Sequence, residues 1–305
     1  MDVPRRPREA SAEQSRPTPF EGAIVMPALR ASEWITLLAF SWFSVLACGR
    51  RRLDPNRRVT ILAFGLGAIA ITIFASLVLS HWVPPQTASI VRDWVPYLFL
   101  FLFYSQGGQF VTGADRELET RLLRLDQSIV APPLEWCAGN PARVWIFTYL
   151  ELAYMSYYPV LPLSLAVLYL SGRQADAARF WTVVLLAAYG SCGTLPYIQI
   201  RPPRMLGEKW SAGLPSGRVR AFNLWILQRG SIQANTLPSA HVAITTACAL
   251  SLLRLGPVSA AVVFLWIAVS VALGAVAGRY HYALDAILGF LVAGTALAVG
   301  VILFP

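Results

Sequence analysis

A twenty-residue run, "VSAAVVFLWIAVSVALGAVA" (257–277 with its leading Pro), carries no ionisable side chain, and the run that follows, 283–304, holds only Asp285. At a rise of about 1.5 Å per residue, roughly 20 apolar residues in a helix cross about 30 Å of hydrocarbon. Such stretches recur. About eight apolar segments lie near 34–49, 59–82, 94–112, 143–170, 179–198, 239–254, 257–277 and 283–304. The chain is 56% hydrophobic and 13% charged, whereas a soluble domain has about a quarter of its residues charged. The expected fold class is therefore all-α: a polytopic transmembrane helix bundle with about 6–8 spanning helices.

Not every segment is expected to span. The first is short enough to lie in the interface, and Pro159 and Pro162 predict a kink or early end in the fourth. Trp34, Trp82, Trp94 and Trp145 stand at segment ends, as in an aromatic belt. His81 beside Trp82 reads as interfacial, and the polar break Gln106-Gly107-Gly108-Gln109 as helix packing. Three stretches are distinguished: a disordered basic N-terminal tail (1–30, too far from any short apolar core to read as a signal peptide), N-terminal membrane helices (31–112) and a catalytic membrane domain (113–305).

The net charge of +9 resides mainly in the tail and connectors, where Lys and Arg set topology and meet lipid headgroups. Membrane lipids, and no nucleic acid, are the expected partners. The expected location is a plasma (inner) membrane. "GRRRLDPNRR" (49–58) has five arginines and by charge belongs to the cytoplasm, taking the later loops with it. The tail makes the same claim, so the side of the site stays open. Cys48, Cys137, Cys192 and Cys248 lack C-x-x-C spacing, so neither a disulfide framework nor a metal site is expected.

Two connectors are long. In 113–142, Leu118, Leu122, Leu125 and Ile129 recur every three to four residues, which predicts an amphipathic helix on the membrane surface. Residues 199–238 are basic and rich in Gly and Pro, and loops of that length are often functional.

Three polar clusters interrupt this apolar chain: "QIRPPR" (199–204), "LPSAH" (237–241) and "GRYHYALD" (278–285). If the sixth and seventh segments both span, the loops carrying them share one membrane face. His281 and Asp285 are four apart, a residual of about 40° on a helix, so they can hydrogen-bond. A carboxylate on one imidazole nitrogen fixes the tautomer and raises the basicity of the other. His241 brings a second imidazole to a helix start, where backbone amides favour an anion. Arg201 and Arg204 add donors suited to oxyanions. Such a set suits phosphoryl transfer without metal or other cofactor: one imidazole attacks phosphorus and the other protonates the departing alkoxide.

At these residues the chain resembles the type 2 phosphatidic acid phosphatase superfamily of membrane lipid phosphatases and phosphotransferases, over roughly 90–300. That family's signature reads K-x6-R-P, P-S-G-H and S-R-x5-H-x3-D. Arg201-Pro202 matches the end of the first motif, Pro238 to His241 the second, and His281 with Asp285 the end of the third. The details look closest to the branch of inositol phosphorylceramide synthases, which "VRDWVP" (91–96) and "ELAYMSYY" (151–158) also resemble. The resemblance implies His281 as nucleophile, Asp285 as its orienting partner and His241 as general acid. It implies that Arg201 and the amides around Ser239 and Ala240 hold the phosphate of a lipid substrate. Thr194 replaces the first motif's lysine, and Arg204 or Lys209 are the candidates to compensate. Ala275 replaces the third motif's arginine. Arg279 lies one helical turn further on and keeps the same face if the segment is helical there. The rival class is a non-catalytic lipid-binding or transport protein.

Overall fold

The computed structural model describes residues 29–130, 144–206 and 217–303. Most of the tail, Cys137 and Lys209 fall outside them. The described residues form α1 (Ala31–Gly49), α2 (Pro55–Ile73, prolonged by a π turn and a 3-10 turn to His81), α3 (Pro85–Gly108), α4 (Arg116–Ile129), α5 (Val144–Met155), α6 (Tyr157–Leu170), α7 (Ala177–Cys192), α8 (Arg218–Gly230), α9 (Ala240–Leu255), α10 (Val258–Ala277) and α11 (Ala283–Leu303). The sole extended pairing among them is the antiparallel bridge Ile200–Asn235. The all-helical expectation holds.

Four helices are long and apolar enough to cross a membrane: α1, α2 with its extension, α10 and α11. A fifth span results if α5 and α6, bent by 57° at Ser156, count as one. By length and composition alone, the described residues thus carry four or five candidate spans, and the expected 6–8 is not reached by that measure. The segments near 179–198 and 239–254 become α7 and α9, each of 16 residues, or about 24 Å. Segment 94–112 is the end of a helix whose opening turns hold Gln86, Arg92 and Asp93. The kink expected in the fourth segment falls at Ser156, ahead of both prolines.

α9 is the axis of the fold. Twelve of its residues are buried, most of them Ala, Ser, Thr or Cys, and α6, α7, α10 and α11 surround it. Small side chains allow that close approach. Gly289 of α11 is one such contact: a Cβ there would lie 2.9 Å from the Ser239 carbonyl and 2.9 Å from Val242 Cβ. Gly274 of α10 is another, since its Cβ would fall 2.3 Å from the Leu150 carbonyl of α5. Phe40, Phe43, Phe99 and Phe103 fill the seam between α1 and α3. Large apolar side chains such as Trp42, Leu66, Trp266 and Leu291 face outward, as a lipid-facing surface requires.

Two polar clusters tie the ends. Where α1 and α3 begin, Arg30 meets Asp93 and Arg92 meets Glu33, and Tyr169 donates to Asp93 at 2.6 Å. This gives the "VRDWVP" stretch a structural role. At the other end Arg50 donates to the Pro196 carbonyl at 2.6 Å and Arg57 to that of Val111 at 2.6 Å. The arginine-rich α1–α2 turn therefore lies at the end of the bundle that also carries the three polar clusters.

Candidate active site

The bridge at Ile200 lays the first cluster beside the chain entering α9: the Asn235 N–H donates to the Ile200 carbonyl at 2.8 Å. The third cluster docks onto the second, with the Ser239 N–H donating to the Asp285 carbonyl at 2.9 Å. His281 Nε2 then stands 3.3 Å from His241 Nδ1. On its other side, His281 Nδ1 is 3.4 Å from Asp285 Oδ2. Oδ2 also accepts from the Tyr282 N–H at 3.0 Å and from the Asn235 amide. His281, Asp285 and Asn235 are buried. Burial first, and the Arg204 charge second, push the His281 imidazole down to about 3. It is neutral at physiological pH, with one nitrogen lone pair available.

His241 opens α9 as its second residue. The cap is Ser239, whose hydroxyl accepts from the Val242 N–H. Its ring packs against Tyr154 (centroids 5.0 Å apart) and Tyr157 (4.2 Å), and its Nε2 is 3.4 Å from the Tyr154 hydroxyl. Tyr154 stacks in turn on Tyr280 at 4.3 Å. Buried Glu151 holds that stack: it accepts from the Tyr280 hydroxyl at 2.6 Å, from Arg220 at 2.6 Å and from the Asn223 amide at 2.5 Å. "ELAYMSYY" is thus the wall behind His241, a role that spacing alone did not disclose.

The two imidazoles line a cavity of about 100 Å³ together with Arg204, Tyr104, Tyr154 and Tyr280. Arg204 is the cation on that wall, 5.7 Å from the centre of the Tyr280 ring, and burial lowers its pKa. Arg201 is turned elsewhere. Its Nε and Nη2 bond the two carboxylate oxygens of Glu119 at 3.0 and 2.8 Å, and its N–H bonds Oε1 at 2.8 Å. Burial works to raise the Glu119 pKa, but these bonds outweigh it and leave it lowered. The amides expected to hold phosphate are also engaged, Ser239 N–H as above and Ala240 N–H by the Thr236 hydroxyl at 3.0 Å.

Arg279 departs from the helical-face expectation, because α10 stops at Ala277. Gly278 caps it. The Tyr280 N–H bonds the Ala275 carbonyl at 2.9 Å and the Arg279 N–H bonds that of Val276 at 3.1 Å, the Schellman pattern. Arg279 holds the left-handed position, φ 61°, where glycine is usual. The one-turn equivalence with Ala275 therefore does not apply. Its buried guanidinium lies 3.7 Å from Asp126 Oδ2 of α4, and its Nε and Nη1 have no hydrogen-bond partner. Asp126 accepts from the Ala283 N–H at 2.9 Å, and burial pushes it up to about 6. The amphipathic helix expected on the membrane surface thus meets the site's outer side through Glu119, Leu122 and Asp126, while Leu125 and Ile129 stay exposed.

The apolar helices define an integral membrane protein of helical build, with two imidazoles meeting on one cavity. The PAP2 superfamily profile matches residues 120–299, more than half of the chain, and the chain belongs to that superfamily. The match begins inside α4 and ends inside α11. Comparison with curated proteins and with solved structures returns no match.

Proposed function

We propose that this protein transfers a phosphoryl group from a lipid phosphate or diphosphate through a phosphohistidine on His281, without a metal. The observation that carries this reading is the alignment of Asp285, His281 and His241 on a cavity whose wall bears Arg204. His281 Nε2 forms the bond to phosphorus as the bond to the lipid oxygen breaks. His241, made an imidazolium by a proton taken up with the entering phosphate, gives that oxygen its Nδ1 proton, then takes one back at Nδ1 from the incoming hydroxyl that attacks the phosphohistidine. At 3.3 Å the rings leave no room for phosphorus between them, so a bound phosphate displaces His241 Nδ1 from His281 Nε2 and the same two nitrogens come to face it. In this reading Arg204 is the first cation to meet the phosphate. Arg201, Arg279 and the amides of Ser239 and Ala240 reach it once they leave their present partners.

Hydrolysis and headgroup transfer share the first half and differ in the acceptor. A buried site walled by tyrosines favours a lipid alcohol over water, which agrees with the resemblance to inositolphosphotransferases. The experiment is to incubate purified protein with phosphatidic acid, an isoprenoid diphosphate or phosphatidylinositol plus ceramide, in excess chelator. Phosphate release marks a phosphatase and a new phospholipid marks a transferase. Either product, chelator-resistant and lost in His281→Ala, supports the proposal. Activity that needs added metal, or that survives His281→Ala, refutes it. A protein that binds these lipids with no turnover is the non-catalytic relative.

A further inference from the structure

The contacts around the two imidazoles assign their protons in one direction. The Tyr282 N–H can only donate, and it points at Asp285 Oδ2 together with the Asn235 amide. That oxygen therefore carries no proton and accepts from His281 Nδ1–H as well. His281 being neutral, its Nε2 is an acceptor, so the nitrogen 3.3 Å away, His241 Nδ1, must be the donor. A neutral His241 protonated at Nδ1 has an acceptor at Nε2, where the neighbour at 3.4 Å is the Tyr154 hydroxyl. The chain runs from Tyr154 through His241 and His281 to Asp285, each member donating to the next.

We propose that Tyr154 is the positioning residue of His241: its hydroxyl holds Nε2 and thereby keeps Nδ1–H directed at the phosphate site. The inference rests on the phosphoryl-transfer reading above for its kinetic consequence, but the tautomer itself does not depend on turnover. A hydroxyl suits the task because it rotates. It donates to Nε2 of the resting ring and accepts from Nε2–H while His241 is an imidazolium and after Nδ1 has released its proton, the states that a two-step transfer passes through. An amide N–H could serve only the resting ring, and a carboxylate only a ring protonated at Nε2. The ring of Tyr154 is itself fixed from two sides. It is stacked on Tyr280, whose hydroxyl is held by Glu151, and it is stacked on His241. Its backbone is seated by the close approach of α5 to Gly274. The hydroxyl thus has little freedom to wander from Nε2.

The chain has only three histidines, so imidazole ¹⁵N spectra of the detergent-solubilised protein can be assigned with His81→Gln and His241→Gln variants. The expected spectrum at neutral pH has His241 and His281 both protonated at Nδ1. In Tyr154→Phe, which keeps the stacked ring, His281 is unchanged while the His241 Nε2 signal shifts as its hydrogen bond is lost and the second tautomer becomes populated. Kinetically, Tyr154→Phe should lower kcat about tenfold, with KM within about twofold and the pH profile displaced, as when an orienting partner of a working imidazole is removed. An Nε2–H tautomer at His241 in the wild-type protein, or a Tyr154→Phe spectrum identical to wild type, overturns the inference whether or not a substrate has been found. An altered spectrum with unchanged kcat and pH profile also overturns it, by making the contact structural only. An inactive wild-type protein whose spectra behave as expected would sink the transferase reading and leave the tautomer assignment standing.

Discussion

Glu119 of α4 grips Arg201 with both carboxylate oxygens, at 3.0 and 2.8 Å, and takes the backbone N–H of the same residue at 2.8 Å. The arginine that the sequence motif puts forward for phosphate is therefore committed to a carboxylate. The arginine on the cavity wall is Arg204, three residues later.

The two arginines should separate in kinetics. Arg204→Ala is expected to raise KM for a lipid phosphate at least about tenfold, the loss of one charge-assisted contact, and Arg204→Lys to restore only part. Arg201→Ala should raise KM less and lower the melting temperature. Breaking its pair with Glu119 costs on the order of 1–2 kcal/mol, because the arginine side is partly solvated. Steady-state kinetics beside thermal unfolding of both variants checks this, and the reverse order of KM effects would contradict the placement of Arg204.

Asp126 gives a pH signature. Burial holds its folded-state pKa near 6, above the ordinary carboxylate value, so the folded chain binds this proton more tightly than the unfolded one. The associated stability is fully present below the ordinary value of about 4 and is lost as pH rises to about 6. Melting temperatures of wild type and Asp126→Asn, measured from pH 7 down to 4, should show the wild type gaining on the variant once pH falls below about 6. A difference that stays constant over that range would show that Asp126 has an ordinary pKa.

Gly289 should tolerate no side chain. A Cβ would press on the Ser239 carbonyl and Val242 at 2.9 Å, forcing α11 away from the start of α9 and His281 away from His241. Gly289→Ala is expected to destabilise by about 1–3 kcal/mol, as for overpacking, and to lower activity. Gly294→Ala on the same helix meets nothing within 4 Å and should leave both unchanged or slightly raise stability. Thermal unfolding and turnover of the pair make the comparison, and equal effects would argue against the close contact.

The arginine loop predicts an orientation. Arg50, Arg51, Arg52, Arg57 and Arg58 lie at the end of the bundle that carries the site, and Arg-rich turns are retained in the cytoplasm. A cysteine placed at Arg52 in a cysteine-free chain should react with an impermeant maleimide only after cells are permeabilised. Labelling of intact cells would put the site on the outer face.

Much of the site was legible because the chain is so apolar that its few ionisable groups stand out. His281 and Asp285 were picked out by their four-residue spacing and His241 by its place at a helix start, and the structure brings all three together. The arginines were harder. The motif puts forward Arg201 and leaves Arg204 as a stand-in for its missing lysine, while their partners, Glu119 and the Tyr280 ring, are far away in sequence. Arg279 was placed on a helical face because nothing in "AGRYHY" announces that an arginine will occupy a left-handed turn. Tyr154 and Glu151 stood in a stretch recognised only by likeness, since their roles depend on where α5 crosses α10. The number of spans is less legible for a related reason: α7 and α9 are short and enclosed by neighbouring helices, and hydropathy does not distinguish protein from lipid as the apolar surroundings.

The direct contact between the imidazoles of His241 and His281 has a consequence for the idle protein. Under the proposed mechanism, the His281 Nε2 lone pair is occupied by the His241 proton until phosphate displaces it, so stray electrophiles would meet a masked nitrogen behind aromatic walls. On that reading, a tetrahedral anion large enough to wedge the rings apart and polar enough to satisfy both at once is what exposes it. Reactivity is thereby coupled to recognition: the group to be attacked is also the key that uncovers the attacker.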